Sequence, residues 1–436
     1  MSTVTAHISP GTARRTALFL VAVALAAPPF SSHPSTVVDP ELFEGRAPTA
    51  GELKPSVEAA FPRQSYAPGE TATLVFFNSA PGVRVQLLHA GPEQTETLGN
   101  NEMQGVPTTT AACIGTVHAH SAYTLSVGQW ASGLYFARLT ASDGRVGFAP
   151  FVLRPQRLGE HKVAVVMPTL TWQAYNLRDD DHDGKGDSWY ADWTTRTAHL
   201  GRPFLNRGVP PHFRHYDLPF LHWLARSTHQ VDYLSDADLD ALNNGATLAA
   251  AYDLIIFPGH HEYITAHEYD NVEQYRNLGG NLAFLSANDF FRRVDVHGNQ
   301  MILIGLWRDL GRPEAALIGV QYLSNDDGKR RGPWIVRDAE AAPWLFQDTG
   351  LHDGTPFVPT AGVEIDHTAT ASPKNVNVLA DIRNLLGPGL TAQMTYYQTP
   401  QGAKVFAAGA FTLAGAADKP HVPQLLENLW THLATP

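Results

Sequence analysis

The stretch Phe257-Pro258-Gly259-His260-His261-Glu262-Tyr263-Ile264-Thr265 follows the apolar run Leu254-Ile255-Ile256 and decides how the second half of the chain is read. A short unbroken apolar run bounded by Pro-Gly reads as a strand buried on both faces. Its exit into two histidines, a glutamate and a tyrosine puts polar groups at a strand's carboxyl end, where open α/β sheets hold their ligands. His260 and Glu262 stand two apart, so in extended chain they project the same way. One metal ion or one substrate can then meet both side chains.

Outward from this stretch the rhythm is α/β. Residues 162–167 and 231–234 read as strands and residues 218–225 as a helix. Thr265-Ala266-His267-Glu268 reads as a capping box, its helix stopping at Gly279-Gly280, with a strand over 281–286 beyond. Such alternation predicts a flavodoxin-like α/β domain, a parallel sheet with helices on its faces, over residues 158–436. After about residue 290 the pattern turns mixed, with hairpins near 301–306 and 319–323, strands at 390–397 and 403–408, and a last helix at 422–433.

Residues 57–157 carry short β runs between turns and read as a sandwich, similar to the immunoglobulin-like accessory domains of exported enzymes. Residues 33–56, rich in Pro, Ser, Thr and Gly, read as a linker. Residues 1–32 read as an export signal: Arg14-Arg15, an apolar run over 16–27, and a small-residue cleavage site at Ala24-Leu25-Ala26. The arginine pair fits a twin-arginine signal as well as an ordinary secretory one.

A net charge of −11 argues against a nucleic-acid partner, and no later segment is apolar enough to anchor the chain in a membrane. The single cysteine, Cys113, excludes an internal disulfide and reads as a small buried residue.

Other constellations are weighed by spacing. HExxH zinc chemistry needs histidines one helical turn apart, and His267 lies too far from His261 for that. Asp179, Asp181, Asp183 and Asp187, with Gly184 between them, reproduce the front half of a calcium loop, but Tyr190 stands where its closing glutamate belongs. Thr171-Trp172-Gln173-Ala174-Tyr175-Asn176 can line a pocket after the first α/β strand. Ser286-Ala287-Asn288-Asp289 ends a strand without a nucleophile elbow, and Gly362-Val363-Glu364-Ile365-Asp366 reads as a strand with outward acids.

Taken together, TWQAYN, HFRHYDLPFLHWLAR, VDYLSDADLD, FPGHHEYIT, GGNLAFLSAN and GVEID resemble one family. It is the carboxyl-terminal catalytic domain of the large subunit of N,N-dimethylformamidase and its relatives. The resemblance implies an amidotransferase-like scaffold and a mononuclear ferric iron held by two tyrosinates and a carboxylate. Carried over by motif, Tyr175 and Glu262 are iron ligands. Tyr216 is the second tyrosinate, with Tyr190 in reserve. His260, Asn288 and Glu364 are catalytic. The expected function is an exported metal-dependent hydrolase of carbon–nitrogen bonds acting on a small-molecule amide. A catalytically silent ligand- or carbohydrate-binding relative and a non-haem iron oxygenase are the alternatives.

Overall fold

Leu254–Phe257 forms a strand with all four residues buried, as its composition demands. The computed structural model describes residues 53–192 and 194–435. The expected export signal over 1–32 and most of the linker over 33–56 lie outside the described residues. Among the described residues no helix is long and apolar enough to cross a membrane.

Five parallel strands run in the order Asp232–Ser235, Val163–Met167, Leu254–Phe257, Asn281–Phe284 and Lys404–Ala407. The same sheet then turns antiparallel through Leu390–Gln398, Asn377–Gly387, Arg331–Val336, Pro356–His367 and Gln321–Asn325, and Ala410–Phe411 pairs with Pro356–His367. The expectation of a flavodoxin-like, amidotransferase-like parallel-sheet domain is therefore corrected. The sheet has 11 strands of mixed direction, and strand (35%) outweighs helix (17%). The reason lies in the burial pattern. Buried parallel strands announce themselves as apolar runs, whereas the 12-residue strand Pro356–His367 breaks its buried residues with exposed and half-buried ones and so lacks that signal.

A separate 4-stranded sheet, ordered Thr197–His199, Gln300–Leu306, Arg292–His297, Tyr263–Ile264, sets Tyr263 opposite Arg292. Residues 59–153 hold strands only, in sheets of three and six. Both sheets contribute to one core containing Leu74, Phe76, Val85, Leu87, Tyr135, Leu139 and Phe151. Pairing is mixed here too, Ser65–Tyr66 running parallel to Val152 and Leu153. Phe136 and Phe148 belong instead to the core that contains Trp172, Phe204 and Phe213, so the strand-only region packs on the segments that carry the site. Cys113, expected to be buried, is exposed on Ala112–Val117.

Candidate active site

Three segments bring Tyr175, Tyr190 and Glu262 together at the carboxyl end of Leu254–Phe257. The first is the turn after that strand. Gly259 is required there, because a Cβ would sit 2.2 Å from Asp217 Oδ1. His261 turns inward, with Nε2 3.0 Å from Val166 O and its backbone N–H donating to Asp289 Oδ1. His260 and Glu262 turn together to the other side, as their spacing implies, with Nε2 and Oε2 3.5 Å apart.

The second segment is the helix Thr169–Ala174. Asp236 Oδ2 accepts from Leu170 N at 2.6 Å and from Thr169 Oγ1 at 2.8 Å, which anchors the helix start. The helix delivers Tyr175, whose hydroxyl donates to Glu262 Oε2 at 2.6 Å.

The third segment is the loop that leaves this helix. The buried Arg202 guanidinium donates to carbonyls of Asn176, Arg178 and Asp187, pinning both ends of the loop. Tyr190 then lies on Tyr175, ring centroids 4.2 Å apart, and donates to the same Glu262 Oε2 at 2.9 Å. Tyr263 Oη donates to Tyr190 Oη at 2.7 Å and accepts from Trp189 Nε1 at 2.9 Å.

His260 is shared by the remaining groups. Glu364 Oε2 lies 3.3 Å from its Nε2, and Asn288 Nδ2 lies 3.4 Å from the same atom. Asn288 and Val363, beside Glu364, have φ of 57° and 66°. For a β-branched valine this conformation is strained, and such strain gathers at functional sites.

Tyr216, read as the second ligand, stacks on His212 and meets Phe411 edge-on, and Phe411 in turn packs on His260. It belongs to the aromatic wall, while the reserve residue Tyr190 takes the place on Glu262. In the acidic loop, carboxylate oxygens of Asp179, Asp181 and Asp187 lie within 4.8 Å of one another. Asp183 turns away to accept from Lys185 N.

The sequence reading missed Arg292, whose Nε donates to Glu262 Oε1 at 3.0 Å, and Asp217, which accepts from Trp172 Nε1 at 3.3 Å. Nothing in their local sequence marks them. Both become visible only through pairing with distant segments.

The site is rich in buried charge. Burial, then the charges of Glu262 and Glu364, push the Tyr175 hydroxyl well above its ordinary value. Burial and Glu262 do the same to Tyr190. Burial disfavours a charged His260, but Glu364, then Glu262 and Asp366, outweigh it and raise its pKa. Burial alone raises Asp217, to about 7.

Ferric iron can be tested against this donor set. Two phenol hydroxyls already share one carboxylate oxygen, so a cation replacing their protons meets three hard oxygen donors. Asn288 Oδ1 is buried without a hydrogen-bond partner, as a group awaiting water or a substrate would be. The residues fit.

Scaffold and site thus define a mixed-sheet protein with a buried tyrosine–carboxylate–histidine cluster at a strand end. The chain belongs to the N,N-dimethylformamidase beta subunit-like, C-terminal family, whose model matches residues 107–303 and 295–424. The N,N-dimethylformamidase beta subunit of Alcaligenes sp is 26% identical over 164 residues, 37% of this chain and 21% of that protein. That of Paracoccus aminophilus is 26% identical over 171 residues, with coverage of 37% and 21%. The chain thus spans about a fifth of the length of these curated relatives. Among solved structures, the superoxide reductase (neelaredoxin) from Ignicoccus hospitalis covers 23% of this chain and 80% of its own at TM-score 0.14 and 10% identity. A Paenibacillus sp. cycloisomaltooligosaccharide glucanotransferase covers 82% and 69% at TM-score 0.18 and 8% identity. Neither carries an argument about the fold.

Proposed function

We propose that this chain is a metal-dependent hydrolase of carbon–nitrogen amide bonds, with residues 1–32 as its export signal. Tyr175, Tyr190 and Glu262 would hold a ferric ion, and a small-molecule amide would be the substrate. The observation that carries the reading is the convergence of both tyrosine hydroxyls on Glu262 Oε2, with His260 and Glu364 directly behind.

A bound ferric ion would polarise the substrate carbonyl and acidify a coordinated water. The protein's own groups handle the protons. Glu364 and His260, 3.3 Å apart, can accept a proton from the attacking water and return it to the departing nitrogen. Asn288, held by its backbone N–H on Asp366 Oδ1 at 2.9 Å, is placed to orient the carbonyl or the water. Phe411, packed on His260, and the stacked pair His212 and Tyr216 form an aromatic wall beside the site.

Elemental analysis of purified protein, with an amide-hydrolysis assay over small formamides and acetamides, tests the reading. Bound iron, a phenolate-to-iron absorption band lost in Tyr175→Phe, and release of free amine support it. A colourless, metal-free protein that binds ligand without turnover, or oxygen consumption with a co-substrate, would refute it.

A further inference from the structure

The two oxygens of Glu262 face different surroundings. Oε2 meets Tyr175, Tyr190 and His260, whereas Oε1 meets the guanidinium of Arg292. The side chain of Glu262 is 3% exposed, so an ionised carboxylate there needs a countercharge within the protein. Arg292 provides it, and its reach is set by the backbone. Its N–H donates to Glu262 O at 2.9 Å, and its Cα is registered opposite Tyr263 in a parallel ladder. One residue therefore grips Glu262 by both main chain and side chain. Its guanidinium carbon also lies 5.0 Å from the centre of the Phe291 ring, which restricts its swing.

We propose that Arg292 is a positioning residue for the cation site: it locks Glu262 with Oε2 turned toward Tyr175 and Tyr190 before any cation arrives. The inference rests on the metal-site reading given above. Arg292 acts through Glu262, and its own Nε–H is spent on Oε1. A carboxylate whose outer oxygen is fixed loses less freedom on binding a cation, and partners of this kind typically account for about 10–100-fold in metal affinity.

The test compares full-length wild type with Arg292→Met, which keeps the stem and removes the charge, and Arg292→Lys, which keeps a charge without the guanidinium geometry. Iron affinity is read by competition with a chelator, beside the absorption band of the iron-loaded protein. The expected result is an affinity loss of about 10–100-fold in Arg292→Met with a displaced band, and partial recovery in Arg292→Lys. Affinity within about threefold of wild type and an unmoved band in Arg292→Met would overturn the inference while leaving the metal-site reading intact. Should Arg292→Met fail to fold, Arg292→Lys decides alone: a loss of about fivefold or more supports the inference, and a wild-type value overturns it. A wild-type protein that takes up no iron sinks both.

Discussion

Tyr175 and Glu262, 87 positions apart in the chain, meet through a 2.6 Å hydrogen bond between phenol hydroxyl and carboxylate Oε2. Removing that hydroxyl in Tyr175→Phe subtracts one oxygen donor and leaves the ring packed. We expect iron content to fall and amide hydrolysis to drop by about 100-fold or more, while stability falls by only about 1.5–3 kcal/mol. Metal analysis and denaturant unfolding separate the two effects. Full iron loading in the variant would argue against Tyr175 as a ligand.

Tyr190 and Tyr216 can be told apart in the same way. Tyr190 donates to Glu262, whereas Tyr216 stacks on His212. Tyr190→Phe should weaken iron binding about as much as Tyr175→Phe, and Tyr216→Phe should leave iron in place and act mainly on KM. The reverse order would restore Tyr216 as the second ligand.

Glu364 Oε2 is buried 3.3 Å from His260 Nε2. Glu364→Gln keeps the volume and removes the proton acceptor. The expected outcome is kcat lower by about 100–10,000-fold with KM little changed and iron retained. Unchanged turnover would remove Glu364 from the proton path.

Stability should depend on pH through a second pair of carboxyls, beneath the helix that carries Tyr175. Burial pushes Asp236 up to about 7, and burial with the charges of Asp236 and Asp240 raises Glu268 well above its ordinary value. The folded protein therefore keeps protons that an unfolded chain would release. This contribution is full below about pH 4 and is lost as pH rises toward 7. The melting temperature should fall between about pH 5 and about pH 8, and fall less in Glu268→Gln, which cannot ionise. Equal slopes in the two proteins would exclude the pair as the cause.

Gly259→Ala tests the close approach beside His260. Its new Cβ would sit 2.2 Å from Asp217 Oδ1 and 3.3 Å from Pro168 Cγ. Asp217 is buried and tied to Trp172, so the strain should cost about 1–3 kcal/mol in chemical denaturation. A variant as stable as wild type would mean that Asp217 moves freely.

Part of this site is legible along the chain because its geometry is local. The alternation of His260 and Glu262 follows from extended backbone, and the helix after Thr265 was readable from its cap. Even there only half of the capping box forms. Thr265 Oγ1 accepts from Glu268 N, but the Glu268 carboxyl turns into the interior beside Asp236. A local motif offered one partner and a distant segment offered another.

By itself, then, the sequence determined the strand-to-turn segment at 254–265, the family resemblance and the types of group available for catalysis. Short-range spacing and side-chain chemistry are enough for those. Only the tertiary structure decided that the sheet turns antiparallel past Lys404–Ala407, that Tyr190 lies on Glu262, and that Arg292 holds the carboxylate from behind. These relations depend on pairing between strands and loops far apart in the chain, where register and burial select among several equally polar candidates.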